Sequence, residues 1–249
     1  MYDIATRSRA LQMVAEGRSL NSVSHLTGIS RASIRDWLAS GLDPVSIGRA
    51  PLRTDIPEYP YLLGLYLGDG CLSRTHRDVY ALRIACADAW PGVADACEQA
   101  IRAVRPGGAV CRVQQQGCVQ VTSTSKQWPE VFPQHGPGKK HERAIVLESW
   151  QQEIVDAHPW EFVRGLIHSD GCRVTNWTER VVGGVRKRYE YPRYFFTNMS
   201  EDILRLYCAT LDAVGVEWRV ARSGARAYNV SVARRASVAL MDRHVGPKH

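Results

Sequence analysis

The sequence predicts an α+β protein: a small all-α module, then a larger core made of two tandem copies of one unit. Three observations lead there. The first forty residues carry three short helical periods separated by Gly and opened by Ser. A stretch with Gly, three prolines and few aromatics follows, at residues 40–57. Beyond it, two apolar runs each end in Asp-Gly, and each is followed by strand, helix, hairpin and short helix in the same order.

Residues 1–41 form the first unit. Residues 8–16 place Ala10, Leu11, Val14 and Ala15 on one helical face, and Gly17 ends the helix. Residues 21–26 are a second short helix with Val23 and Leu26 inward, and Gly28 lies in the turn. Ser30 is a good N-cap for a third helix over 31–38, with Ile34, Trp37 and Leu38 on its apolar side. Helix, Gly-containing turn and capped helix make a helix-turn-helix arrangement. The segment LNSVSHLTGISRASIRDWL resembles modules of the resolvase and transposase type. That resemblance implies that the third helix enters a DNA major groove, with Ser30, Arg31, Ser33 and Arg35 toward bases or phosphates. A bundle that touches only protein is the plainer alternative. Residues 42–57 read as a semi-extended linker.

The repeat begins next. YPYLLGLYLGDG (59–70) and WEFVRGLIHSDG (160–171) carry a small residue every fourth position, Gly64 and Gly68 in one, Gly165 and Ser169 in the other. Small residues one turn apart let two helix backbones approach closely. Residues 80–86 and 193–198 read as strands, and 92–104 and 201–214 as amphipathic helices. Residues 110–122 and 217–232 read as hairpins turning at Gly117 and near Gly224, and HGPGKKH (135–141) matches HVGPKH (244–249). The copies are assigned to 58–145 and 146–249.

Composition narrows the function. The 249 residues are 45% hydrophobic, enough for a real core. Lys plus Arg number 32 against 25 Asp plus Glu, a net charge of +7. This favours a polyanionic partner, because each phosphate neutralised releases counterions. Seven cysteines without a CxxC pair argue against a disulfide frame or zinc site. They suit reduced thiols in a cytoplasmic protein, nucleoid-associated in a bacterium. No apolar run approaches membrane-spanning length, and the N-terminus lacks the apolar stretch of a secretory signal.

LLGLYLGDG and VRGLIHSDG resemble the two motifs of a single-chain LAGLIDADG homing endonuclease, with similarity over residues 58–249. The resemblance implies a pseudo-twofold tandem αββαββα core. Its two motif helices would pack side by side and bring Asp69 and Asp170 together at their C-terminal ends. Two carboxylates at one point repel unless cations or protons lie between them. Oxygen donors suit Mg²⁺ or another divalent cation. Asp69 and Asp170, with the adjoining Gly68 and Ser169, are therefore the candidate metal site, and the aspartates the candidate catalytic pair for phosphodiester hydrolysis. Aspartates that merely cap turns are the alternative. The basic residue that this family often keeps near its metals points to Lys139 or Lys140, and to Lys248 in the second copy, either polarising water or touching phosphate. His168, where the first copy has Leu67, either approaches the site or bonds between the helices.

Strand alternation puts Val113, Val119 and Val121 toward the helices, and Trp218, Val220, Tyr228, Val230 and Val232 likewise in the second copy. Arg112, Gln114, Gln120 and Thr122, and then Arg219, Asn229 and Ser231, would face away, able to read base edges in a major groove, with Arg74 joining the DNA-binding set. Residues 173–193 read as a long hairpin turning at Gly183-Gly184. Its Arg173, Arg180, Arg186, Lys187, Arg188 and Arg193 make it a phosphate clamp or a solvated loop. The expected partner is double-stranded DNA with a long, asymmetric site, bound by a monomer. Three functions suit this plan: a metal-dependent site-specific endonuclease, a transcriptional regulator that binds without cleaving, and an RNA-splicing maturase. Two intact acidic positions favour the first. The fused N-terminal module favours the second.

Overall fold

The computed structural model describes residues 4–39, 51–223 and 227–249. The chain divides into two compact units, Met1–Pro51 and Leu52–His249.

The first unit holds α1 (Ile4–Ala15), α2 (Leu20–Thr27) and α3 (Arg31–Ala39). Ala10, Val23, Ile29 and Ile34 form its small core, with Met13, Val14, Leu20 and Trp37 packed against them. Ser19 caps α2 by accepting from Ser22 N, and Ser30 caps α3 by accepting from Ser33 N at 3.1 Å. Gly28 ends α2 in the left-handed conformation, φ 70°, which favours glycine. Leu26 and Leu38, expected inward, are exposed. A helix this short buries one side chain fully, Val23 in α2 and Ile34 in α3, and Ile29 from the turn fills the remaining space. The linker expected over 42–57 falls largely on residues 40–50, outside the described residues. Its last part belongs to the second unit: Arg53 N donates to Val104 O at 2.8 Å, and Ile56 is buried.

The second unit repeats one topology. The first copy runs α4 (Glu58–Asp69), β1 (Gly70–Arg74), β2 (Tyr80–Ala87), α5 (Pro91–Val104), β3 (Val110–Gln115), β4 (Cys118–Ser125) and α6 (Trp128–Val131). After α7 (Ser149–Ala157) the second runs α8 (Pro159–Asp170), β5 (Gly171–Val182), β6 (Val185–Asn198), α9 (Glu201–Ala213), β7 (Arg219–Ser223), β8 (Ala227–Val232) and α10 (Arg235–His244). Each is αββαββα, with antiparallel sheets ordered β1-β2-β4-β3 and β5-β6-β8-β7. The turn expected near Gly224 lies outside the described residues.

The two copies meet through α4 and α8. A Cβ on Gly64 would stand 2.7 Å from Leu166 N and from Phe162 O, and one on Gly165 only 2.2 Å from Tyr61 O. Nothing larger than hydrogen fits at either place, so glycine is what lets the backbones touch. Tyr61 Oη and His168 Nδ1 share a hydrogen bond of 2.9 Å across the pair. Burial, and then the Arg164 guanidinium, hold His168 down to about 3, so the ring is neutral near pH 7. His168 is thus the bond between the helices.

Candidate metal centre and nucleic-acid interface

Asp69 and Asp170 close α4 and α8, and close packing carries them to one place. At the last turn, a Cβ on Gly68 would lie 2.1 Å from Ser169 Oγ and 3.1 Å from Asp170 Oδ2. Burial, followed by the negative charge of Asp69, pushes Asp170 up to about 6. A hydrogen bond from Asn198 Nδ2 to Asp170 Oδ2, 2.6 Å, acts in the other direction. Asp69 reaches solvent, yet the protein packed around it also raises its carboxyl, with Lys248 and Lys140 opposing.

Two lysines stand at the same pair of helix ends. Lys140 Nζ donates to the carbonyls of Tyr66, Leu67 (3.0 Å) and Gly68 (2.9 Å). Lys248 Nζ donates to the Ser169 carbonyl at 2.8 Å. The Tyr66 carbonyl also accepts from Gly70 N, whereas those of Leu67, Gly68 and Ser169 are among the last-turn carbonyls that a helix leaves unpaired and a cation satisfies. Burial lowers Lys140 to about 8, and it lowers Lys248 as well, both aspartates opposing. Lys139 is exposed and its backbone bonds Glu142 instead. A cavity of about 460 Å³ opens beside Asp170, lined among others by His135, Lys140, Arg143 and Asn198.

The donor set suits a divalent cation, since two carboxylates are held together against their own repulsion. Among the described residues no three His, Cys, Asp or Glu side chains cluster. Water and phosphate oxygens would therefore complete the shell, as is usual for Mg²⁺. Gly68 and Ser169, expected beside the ion, already give their carbonyls to the lysines.

The sheet faces follow from register. Gln115 pairs with Cys118 across a two-residue turn, so Arg112 lies opposite Val121, Val113 opposite Gln120, and Gln114 opposite Val119. Opposed residues share a face. Val121 is fully buried under the helices, so Arg112 and Gln114 belong on the helix side and Val113 on the open side. This reverses the expectation for β3, because the two-residue turn sets the parity of the strand. Arg112 pairs with Asp95 and Glu98 of α5, each at 2.7 Å, and Gln114 Nε2 bonds Asp88 Oδ1 at 3.0 Å. Arg173 is corrected likewise: it lies opposite the buried Tyr194 and bonds Asp242 of α10 at 2.6 Å. Arg74 is exposed in an ion pair with Asp78.

The open faces keep the other candidates. Gln120 and Thr122 sit opposite Ala85 and Arg83. Asn229 and Ser231 sit opposite Thr197 and Phe195, and Arg219 opposite Ser231. Three buried polar atoms that have no hydrogen-bond partner among the described residues, Thr122 Oγ1, Arg193 Nε and Asn229 Oδ1, lie on these faces. Such atoms are costly unless something supplies the partner. Arg83 was missed in the sequence because it sits in an apolar-looking strand. Its place opposite Cys71 and Thr122 is legible only from pairing.

The hairpin β5–β6 outruns its sheet. Among the described residues β8 meets β6 only at 194–198, so residues 174–193 stand as a two-stranded arm. β2, by contrast, is paired by β4 along its whole length. Alternation sorts the arm into two faces. Asn176, Thr178, Arg180, Lys187, Tyr189, Tyr191 and Arg193 share the open side, without an acid. Trp177, Glu179, Arg186, Arg188 and Glu190 share the other, where Arg188 lies over Trp177 and pairs with Glu190. In the first unit, the cap residue Ser30 and Arg31 and Arg35 of α3 are exposed, and Ser33 is half-buried with its Oγ 2.8 Å from Ser30 Oγ.

No family model matches the sequence, and no curated protein does. Solved structures match in fold. A structure of mesophilic variants of the homing endonuclease I-DmoI gives a TM-score of 0.52 at 14% identity, over 79% of this chain and 99% of that one. I-DmoI in complex with DNA and Mn gives 0.51 at 14% identity, over 79% and 99%. Full-length DUF199/WhiA from Thermatoga maritima gives 0.50 at 12% identity, over 82% of this chain and 60% of that one. At such identities the likeness is one of architecture, and in architecture the chain is an α+β protein with the LAGLIDADG fold.

Proposed function

We propose that the protein binds a long, asymmetric site on double-stranded DNA as a monomer and hydrolyses its phosphodiesters with a divalent cation held by Asp69 and Asp170. One observation carries this reading: two carboxylates and two helix-capping lysines are gathered on a pseudo-twofold where α4 and α8 end. Such a gathering is expensive to maintain for packing alone. Bound there, Mg²⁺ would supply an activated water and stabilisation of the leaving oxygen. Asp69 and Asp170 would hold it. Lys140 and Lys248 would orient water and face the charge that develops on phosphate. The acid-free face of the arm, through Arg180, Lys187 and Arg193, would follow the backbone, while Gln120, Asn229 and Arg219 would read base edges. The complex of I-DmoI with DNA and Mn supports the same partner and the same kind of ion.

The test is incubation with a plasmid library in Mg²⁺, comparing wild type with Asp69→Asn and Asp170→Asn. Specific cuts that vanish in both variants are expected. Tight footprints without any metal-dependent cut would instead favour a regulator that uses the same surface for binding alone. The exposed arginines on a capped α3 favour that second reading, since an added helix-turn-helix serves site selection.

A further inference from the structure

The two aspartates are related by the repeat, yet their surroundings are not. Asn198 ends β6 and is fixed at both ends of its amide. Its Oδ1 accepts from Ser200 N at 2.8 Å, at the cap of α9, which leaves Nδ2 to donate to Asp170 Oδ2 at 2.6 Å. The first copy has a different residue there. Gly70 pairs with Ile84 as Gly171 pairs with Phe196, so the position two residues further on is Cys86 in one copy and Asn198 in the other. Cys86 is 2% exposed and its thiol is turned to Cys97 of α5. Among the described residues nothing donates a hydrogen bond to the Asp69 side chain, which lies open to solvent.

We propose that Asn198 is a positioning residue that makes the two half-sites unequal, so that the strand served by Asp170 is cut before the strand served by Asp69. The inference rests on the nuclease reading above. A carboxylate whose orientation is already fixed needs no reorganisation when it takes its ion, whereas Asp69 must be ordered in each turnover. Outer partners of ligating carboxylates typically change metal affinity or activity by about 10- to 100-fold, so a strand bias of roughly tenfold is expected.

The test uses the full chain and duplexes recovered from a randomised pool by binding in Ca²⁺, each strand carrying its own end label, then cut in Mg²⁺. Wild type should nick one strand about tenfold faster. Asn198→Cys should bring the two rates to within about twofold by slowing the faster one. The exchange of both, Cys86→Asn with Asn198→Cys, should reverse the order, which no general loss of stability can do. Should the exchange not fold, the single variant still decides. A second readout needs no turnover: in metal-free, asparagine-labelled protein the Asn198 amide protons should exchange slowly, and fast in Asp170→Ala. Equal strand rates in a wild type that cuts, or an unchanged bias in Asn198→Cys, would overturn this inference and leave the nuclease standing. Absence of any cut would overturn both.

Discussion

The two copies of the core agree at their centre and part company at their edges. Both keep small residues where α4 meets α8, an Asp at the helix end and a lysine on the carbonyls beside it. They differ in the hairpin after the motif, which stays within its sheet in the first copy and extends as an arm in the second. They differ again behind the sheet. By register, Arg112 opposite Val121 corresponds to Val220 opposite Val230. The first copy closes that place with an Arg–Asp–Glu cluster. The second leaves an apolar cleft lined by Leu204, Cys208, Trp218 and Val220. The difference teaches that the twofold is held where two backbones and two carboxylates must coincide. Elsewhere each half is free to suit a different stretch of partner.

The largest break in this comparison should come from the shared centre. Gly165→Leu would drive a side chain into the Tyr61 carbonyl, 2.2 Å from its Cβ. Overpacking a rigid contact on this scale costs about 3 kcal/mol or more, and both copies should lose their cooperative unfolding together in urea. An independent transition for one copy would show that the halves do not depend on this contact.

Charge at the same centre works against the fold. The Asp170 carboxyl rises from an ordinary 3.8 to about 6. Between those values the folded protein holds a proton that the unfolded chain has released. The contribution of this one group to stability is therefore greatest below about pH 4 and is lost as the pH climbs through about 6. In metal-free protein at pH 7, Asp170→Asn should be more stable by up to about 3 kcal/mol. The slope of stability between pH 4 and 6 should flatten with it. A variant less stable than wild type at pH 7 would mean that the carboxylate is welcome where it stands.

How much of this could be read in advance depends on what kind of signal each feature leaves. The motif glycines and aspartates, the order of elements and the paired lysine segments are local patterns, and two copies in one chain made them legible. Choosing Lys140 over Lys139 needed three dimensions, because adjacent residues differ only in direction. The faces of β3 depended on a single turn residue: a two-residue turn at Gly117 fixes parity, and an error there moves Arg112 and Gln114 together. Asn198 left a faint signal, standing just before the Ser200 cap, but its meaning lies in a contact 28 positions back in sequence.

The arm sharpens the comparison at the next level down. Replacing residues 177–190 by a short turn removes Arg180, Arg186, Lys187 and Arg188 from the second copy alone. Each phosphate released lowers the salt slope of binding by about 0.9. A slope shallower by roughly 2 to 4, with binding about 100-fold weaker at low salt, is expected in a titration with duplex DNA. An unchanged slope would make the arm a solvated extension.

The smallest effect tests the reversed face of β3. Arg112→Val gives the first copy the residue that the second copy has at the matching position. The guanidinium is partly exposed, 40%, and sits between Asp95 and Glu98, so solvent screens the pairs and their loss should cost about 1 kcal/mol. DNA affinity is the more telling readout. If the residue lies under the sheet, as its pairing with Val121 requires, affinity and salt slope should stay within experimental scatter of wild type while the melting temperature drops slightly. If it turns outward to reach phosphate, affinity should fall and the slope should shrink by about one contact. A single substitution thus separates a hairpin that turns Val113 and Gln120 to the DNA from one that turns Arg112 and Gln114 to it.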